Sequence, residues 1–116
     1  MNIQIYYSKK NPGVLKAERF FKERGIPYQL IDLHKHKPGR KELDIFVRAA
    51  GAKALVDRHG RKAQGRAVAH MTTESLIVEE LLQDPTAMIS PIVRNGQYAT
   101  SGVDEVCWTT WLNVNA

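Results

Sequence analysis

The sequence predicts an α/β domain, and three observations carry that expectation. The chain opens on a strand-like run, a capped amphipathic helix and a second strand-like run. It closes on a hairpin signal followed by an amphipathic helix, and the stretch between has helical periodicity. Its 116 residues, 43% hydrophobic and 25% charged, are enough to bury a core without metal or disulfide support, so one domain over residues 1–116 is expected.

The elements follow in order. Asn2 to Tyr7 alternates polar and apolar side chains and reads as the first strand. Asn11 is a good helix N-cap, Pro12 suits the first helical position because an N–H there has no partner to lose, and Gly25 supplies the stop. Between them Val14, Ala17, Phe20 and Phe21 form the apolar face. Tyr28 to Leu33 is the second strand, which makes the opening a β-α-β unit with a parallel pair. After Pro38 and Gly39, Leu43, Phe46, Val47 and Ala50 recur at helical spacing over Lys41 to Ala50. That helix ends at Gly51, and Ala52 to Val56 adds a further turn. Asp57 to Arg66 carries two glycines and no periodic apolar residue, so an exposed loop is expected. Thr73 caps a helix through Leu82, with Leu76, Ile77, Glu80 and Leu81 on successive turns, stopped by Asp84-Pro85. Ile92 to Arg94 and Gln97 to Thr100 flank Asn95-Gly96, the dipeptide of a type I′ turn, and Val103 to Leu112 forms the closing helix. This order is that of a thioredoxin-like fold, a mixed four-stranded sheet flanked by helices, with a helical insert between the second and third strands. Element order alone also fits an unrelated α/β sandwich.

Charge and cysteine content narrow the function. Seventeen Lys and Arg against twelve Asp and Glu give a formal charge of +5. From His34 to Arg66 the count is ten against three, and elsewhere it is seven against nine, so the middle is basic and the remainder slightly acidic. Such asymmetry suits an acidic partner, although a solvated basic loop has the same composition. Only Phe46 interrupts the basic stretch with an aromatic ring, which argues against a base-stacking platform and direct nucleic-acid binding. The lone Cys107 excludes an internal disulfide, a CxxC redox pair and a cysteine-based zinc cluster. No apolar run approaches the roughly 18 residues of a membrane span and no signal-type stretch precedes the first strand, so a cytoplasmic protein is expected.

Several pieces, taken together, resemble the arsenate reductase-like branch of thioredoxin-fold proteins, which includes glutaredoxin-dependent arsenate reductases and Spx-type regulators of RNA polymerase. They are the Ile5-Tyr6 strand, the helix opening with Lys16-Ala17, Gly25-Ile26-Pro27-Tyr28 leading into Ile31-Asp32-Leu33, Glu42-Leu43 leading to Gly51, Asp84-Pro85 before Met88-Ile89, Pro91-Ile92-Val93, and Gly102. The resemblance covers nearly the whole chain, and its specificity lies in order and spacing. It implies a catalytic cysteine at the N-terminus of the first helix, where backbone N–H groups and the helix dipole lower a thiol pKa. That place falls on Asn11, which can cap a helix but cannot become a thiolate. It also implies an arginine before the cis-proline, where this chain has Ser90-Pro91, so two-point recognition of an oxyanion is lost as well.

The expected site is therefore degenerate at Asn11, Ser90 and Pro91, with no catalytic residue left. Arg58, in the loop after the middle helices, is a candidate remaining cation, and a residual polar site near Ser8, Lys9, Lys10, Asn11 and Ser90 is the functional alternative to a plain N-cap. The resemblance to Spx-type proteins places Gly51 near a partner-binding surface adjoining the basic segment. It implies a protein partner with an acidic face, the α subunit of RNA polymerase among the candidates. The opposing expectation is a thiol- or glutathione-dependent oxidoreductase that uses Cys107 or a partner's thiol.

Of the remaining candidates, Cys107 reads as a buried residue in mid-helix, and Trp108 and Trp111, with Val103, Val106 and Cys107, as core packing. His34 and His36 belong to an exposed basic turn without a third metal ligand, and Glu79 and Glu80 to a solvated face. Neither a GxxxxGKS/T phosphate loop nor a GxGxxG turn occurs. No metal or cofactor is implied.

Overall fold

The structure, a computed structural model, describes residues 1–58 and 67–114. The strands are β1 (Ile3–Tyr7), β2 (Tyr28–Asp32), β3 (Ile92–Asn95) and β4 (Tyr98–Ser101). The α-helices are α1 (Pro12–Glu23), α2 (Arg40–Ala50), α3 (Ala52–Leu55), α4 (Glu74–Gln83) and α5 (Glu105–Val114), with 3-10 turns at Ala67–His70 and Pro85–Ala87. The sheet order is β2-β1-β3-β4. β1 and β2 are parallel from Ile3 opposite Tyr28 to Tyr7 opposite Asp32, whereas β1 and β3, and β3 and β4, are antiparallel. The fold is thus the expected mixed four-stranded sheet with helices on both faces and a helical insert between β2 and β3.

Alternation along β1 divides the interior. Ile3 and Ile5 face one cluster, made with Val14, Phe20 and Phe21 of α1, Val93 of β3, and Trp108 and Trp111 of α5. Tyr6 faces the other, made with Leu43 and Phe46 of α2, Leu55 of α3, Ile77 and Leu81 of α4, and Met88 and Ile92. Each fully buried large side chain contributes about 1.5 to 3 kcal/mol relative to exposure. Trp108 has no exposure, stacks edge-on against Phe20 at 5.2 Å, and donates its indole N–H to Thr100 Oγ1 at 2.8 Å.

The structure departs from the sequence expectations at several points. The hairpin turn is Gly96-Gln97, because Asn95 still pairs with Tyr98; only Gly96 has positive φ (62°), which excludes type I′, where both central residues need it. Thr73 occupies the N-cap of α4, but its side chain makes no capping hydrogen bond. Leu76 is exposed, and Ile77 and Leu81 alone form the buried stripe of that helix. Asp104 precedes the closing helix, its Oδ1 accepting from Cys107 N–H at 3.0 Å and its carbonyl from Trp108 N–H. In that helix Trp108 and Trp111 turn inward while Val103 and Val106 remain exposed. The expected loop at Asp57 to Arg66 falls mostly on residues 59–66, outside the described residues.

Candidate functional site

At the start of α1 the chain builds a closed hydrogen-bond knot. Asn11 Oδ1 accepts from Val14 N–H at 2.9 Å, as an N-cap should, while its Nδ2 donates to the Ser90 carbonyl at 2.8 Å. Ser90 is 9% exposed, and its Oγ accepts from Ser8 N–H at 2.9 Å and lies 3.3 Å from Ser8 Oγ. The Ser90-Pro91 peptide bond is cis. Gly13 is the point of closest approach: a Cβ there would lie 3.2 Å from Pro91 Cδ and 3.3 Å from both Asn11 Oδ1 and Val103 Cγ2. A helix N-terminus can cradle an anion only with unspent N–H groups. Here Pro12 has none, Val14 N–H goes to Asn11 Oδ1 and Leu15 N–H to Asn11 O, which leaves at most Gly13. Asn11, Ser90 and Pro91 are therefore brought together, but as a staple between α1 and the strand-entry loop rather than as an open cradle.

The other named residues lie apart from it. Lys10 pairs with Glu18 on α1 at 3.5 Å. Gly51, with φ 84°, joins α2 to α3 and lines a shallow cleft of about 480 Å³ with Lys53, Thr72 and Glu74; an L-residue is strained at that φ. The Arg58 guanidinium donates to the carbonyls of Ala69 and Met71 and so straps the segment after residue 66. Cys107 stands in the first turn of α5, not in mid-helix, and is only half-buried. Burial and then the Asp104 carboxylate push its thiol pKa up, against the activation a helix N-terminus ordinarily gives. His34 Nε2 reaches the Ser8 carbonyl and His36 Nε2 reaches Glu42, so the two imidazoles serve different partners. Among the described residues no group of three His, Cys, Asp or Glu could hold a metal ion. No helix among them is long and apolar enough to cross a membrane.

A second polar cluster was not visible in the sequence. The buried Tyr6 hydroxyl donates to Glu42 Oε2 at 2.8 Å and accepts from Arg94 Nη1 at 3.4 Å. Glu42 also accepts from His36 Nε2 at 3.1 Å and from Gly39 N–H at 3.4 Å. Burial, reinforced by Glu42, pushes the Tyr6 pKa up to about 12. Burial also opposes ionisation of Glu42, but the hydrogen bonds from Tyr6, His36 and Gly39 outweigh it and hold that carboxyl below its usual value. The four residues come from β1, the turn after β2, α2 and β3, and only strand order and register unite them. The alternation Gln4-Ile5-Tyr6 was the one signal available, and it says which face Tyr6 takes, not what it meets there.

The geometry defines the class: a thioredoxin-like α/β protein with its insert between the second and third strands. Solved structures of arsenate reductase-related proteins share that fold. An ArsC family related protein from Bacteroides fragilis aligns over 95% of this chain and 98% of its own, with TM-score 0.79 and 16% identity. An arsenate reductase (ArsC) related protein from Brucella melitensis aligns over 97% and 95%, with TM-score 0.68 and 20% identity. An arsenate reductase from Vibrio cholerae aligns over 87% and 89%, with TM-score 0.68 and 18% identity. No family model and no curated protein matches the chain.

Proposed function

We propose that this chain is an arsenate reductase-related protein that has given up thiol chemistry and acts in the cytoplasm by binding a macromolecular partner. The observation that carries the reading is the Asn11 side chain, fixed at both ends by Val14 N–H and the Ser90 carbonyl where the resemblance calls for a reactive cysteine. Serine before the cis-proline extends it, since the hydroxyl is tied to Ser8 and brings no charge to an oxyanion. A basic surface supports the binding half. Lys35, Lys37, Lys41, Arg48 and Lys53 are exposed on α2, α3 and the turn before them, and Gly51 lies between the two helices. An acidic protein face fits that surface, and Spx-like binding of the RNA polymerase α subunit is the specific form the resemblance suggests. Encounter driven by such charge weakens as salt rises.

The alternative, a reductase acting through Cys107, has less support, because burial and Asp104 disfavour the thiolate. Purified protein supplied with arsenate, glutathione and glutaredoxin tests both. No turnover is expected, and turnover abolished by Cys107→Ser would overturn the proposal. Immobilised protein should retain an acidic partner, such as the isolated polymerase α subunit, at low salt and release it at high salt; retention at neither refutes the binding half. The double variant Asn11→Cys with Ser90→Arg should acquire thiol reactivity toward oxyanions if the two substitutions are what removed it.

A further inference from the structure

The register of the sheet sets three polar side chains side by side on the insert face. Gln4 pairs with Gln29 on β2 and with Arg94 on β3, and paired residues share a face. With strands roughly 4.8 Å apart, the amide, amide and guanidinium form a row across three of the four strands. This row lies one step beyond Tyr6, Ile31 and Ile92, which α2 covers, and floors an open cleft of about 700 Å³ walled by Lys35, His36 and Glu42.

Arg94 is held rather than free. Its Nε donates to the Gly96 carbonyl at 2.8 Å and its Nη1 to the Tyr6 hydroxyl at 3.4 Å, and its side chain is 20% exposed. A guanidinium has five N–H groups, and no further hydrogen bond from it is found among the described residues, so most of the fork remains to be spent. Glu42 does not spend it. That carboxylate already takes Tyr6, His36 and Gly39, and stands 3.9 Å from Nη1, an ion pair beyond hydrogen-bond reach.

We propose that this cleft binds a small monocarboxylate bearing an adjoining amide or hydroxyl, with the Arg94 fork on the carboxylate and Gln4 and Gln29 on the neighbouring polar group. A fixed, planar fork suits a carboxylate. Glu42 beside it, and Asp32 at the rim with its Oδ1 on His34 N–H, repel a doubly charged phosphate more than a singly charged carboxylate. The site is separate from the Asn11 staple and stands whether or not thiol chemistry persists there.

The test is an NMR titration of the full chain with N-acetylglycine, with sodium chloride and inorganic phosphate at matched ionic strength as parallel arms. Saturable shifts confined to Gln4, Gln29, Arg94 and their strand neighbours are expected with N-acetylglycine alone. Arg94→Lys should weaken binding by about tenfold or more, since it removes the fork. Gln29→Leu, an exposed edge-strand change that leaves the core untouched, should weaken it several-fold with an unchanged spectrum elsewhere. Shifts scattered over the surface lysines, or reproduced by chloride, refute the site, as does binding indifferent to Gln29→Leu. Tighter saturation by phosphate at the same resonances refutes the carboxylate assignment.

Discussion

Removing the Asn11 side chain tests the staple quantitatively. Two interactions end on that amide: the cap to Val14 N–H at 2.9 Å and the bond to the Ser90 carbonyl at 2.8 Å. Loss of an N-cap oxygen costs about 1 kcal/mol. Loss of the second bond costs about 1 kcal/mol more, and up to about 2 if the Ser90 carbonyl, beside a side chain only 9% exposed, finds no water. Asn11→Ala should therefore lower stability by about 2 to 3 kcal/mol, which corresponds to roughly 10 °C in Tm for a chain of this size. Asn11→Ser keeps an acceptor for Val14 but cannot reach Ser90, so it should cost only the second part, about 1 to 2 kcal/mol. Urea unfolding with a common m-value resolves the difference. If Asn11→Ala and Asn11→Ser are equally destabilised, the cap contributes nothing; if Asn11→Ser matches the parent chain, the bond to Ser90 is not made and the reasoning fails.

Three further outcomes are expected. Glu42 is more acidic folded than unfolded, so its contribution is in place above the ordinary carboxyl pKa and drains away as pH falls through the lower folded value; the stability gap between the parent chain and Glu42→Gln should close on acidification below about pH 4, and a gap that widens there contradicts it. Cys107 should label slowly at neutral pH, and Asp104→Asn, which retains a capping oxygen while removing the charge, should speed labelling by a thiol probe several-fold; an unchanged rate refutes the role given to Asp104. Thr100→Val leaves the buried indole N–H of Trp108 without its partner and should cost about 1 to 3 kcal/mol in urea unfolding, whereas a neutral result places another acceptor there.

The sequence was legible wherever one residue decides its own neighbourhood. Asn11-Pro12 fixes the start of α1, and Gly51 fixes the break between α2 and α3 through its positive φ. It was less legible where two local signals compete. Asn95-Gly96 reads as a turn dipeptide, yet Asn95 is held in the ladder opposite Tyr98 and the turn moves one residue on. The apolar residue Val103 reads as the start of the closing helix and so sets Cys107 in mid-helix, whereas the Asp104 side chain caps the helix and puts Cys107 in its first turn. Arg58 offered itself as a cation for the site, and only the position of residues 67–71 shows where its hydrogen bonds go. The row of Gln4, Gln29 and Arg94 lay furthest from view, because it depends on β3 returning antiparallel beside β1 after a long insert.

The split interior has an evolutionary consequence. Because the sheet separates the α1 and α5 cluster from the insert cluster, side chains such as Phe21 and Phe46 share no packing, and substitutions on the two sides should add without coupling. One side of the molecule can then drift while the other is held. The insert bears the exposed Lys41, Arg48 and Lys53 and walls the Arg94 cleft, so that surface can be recharged by substitution while the β1-α1 frame and its closed helix entrance stay as they are.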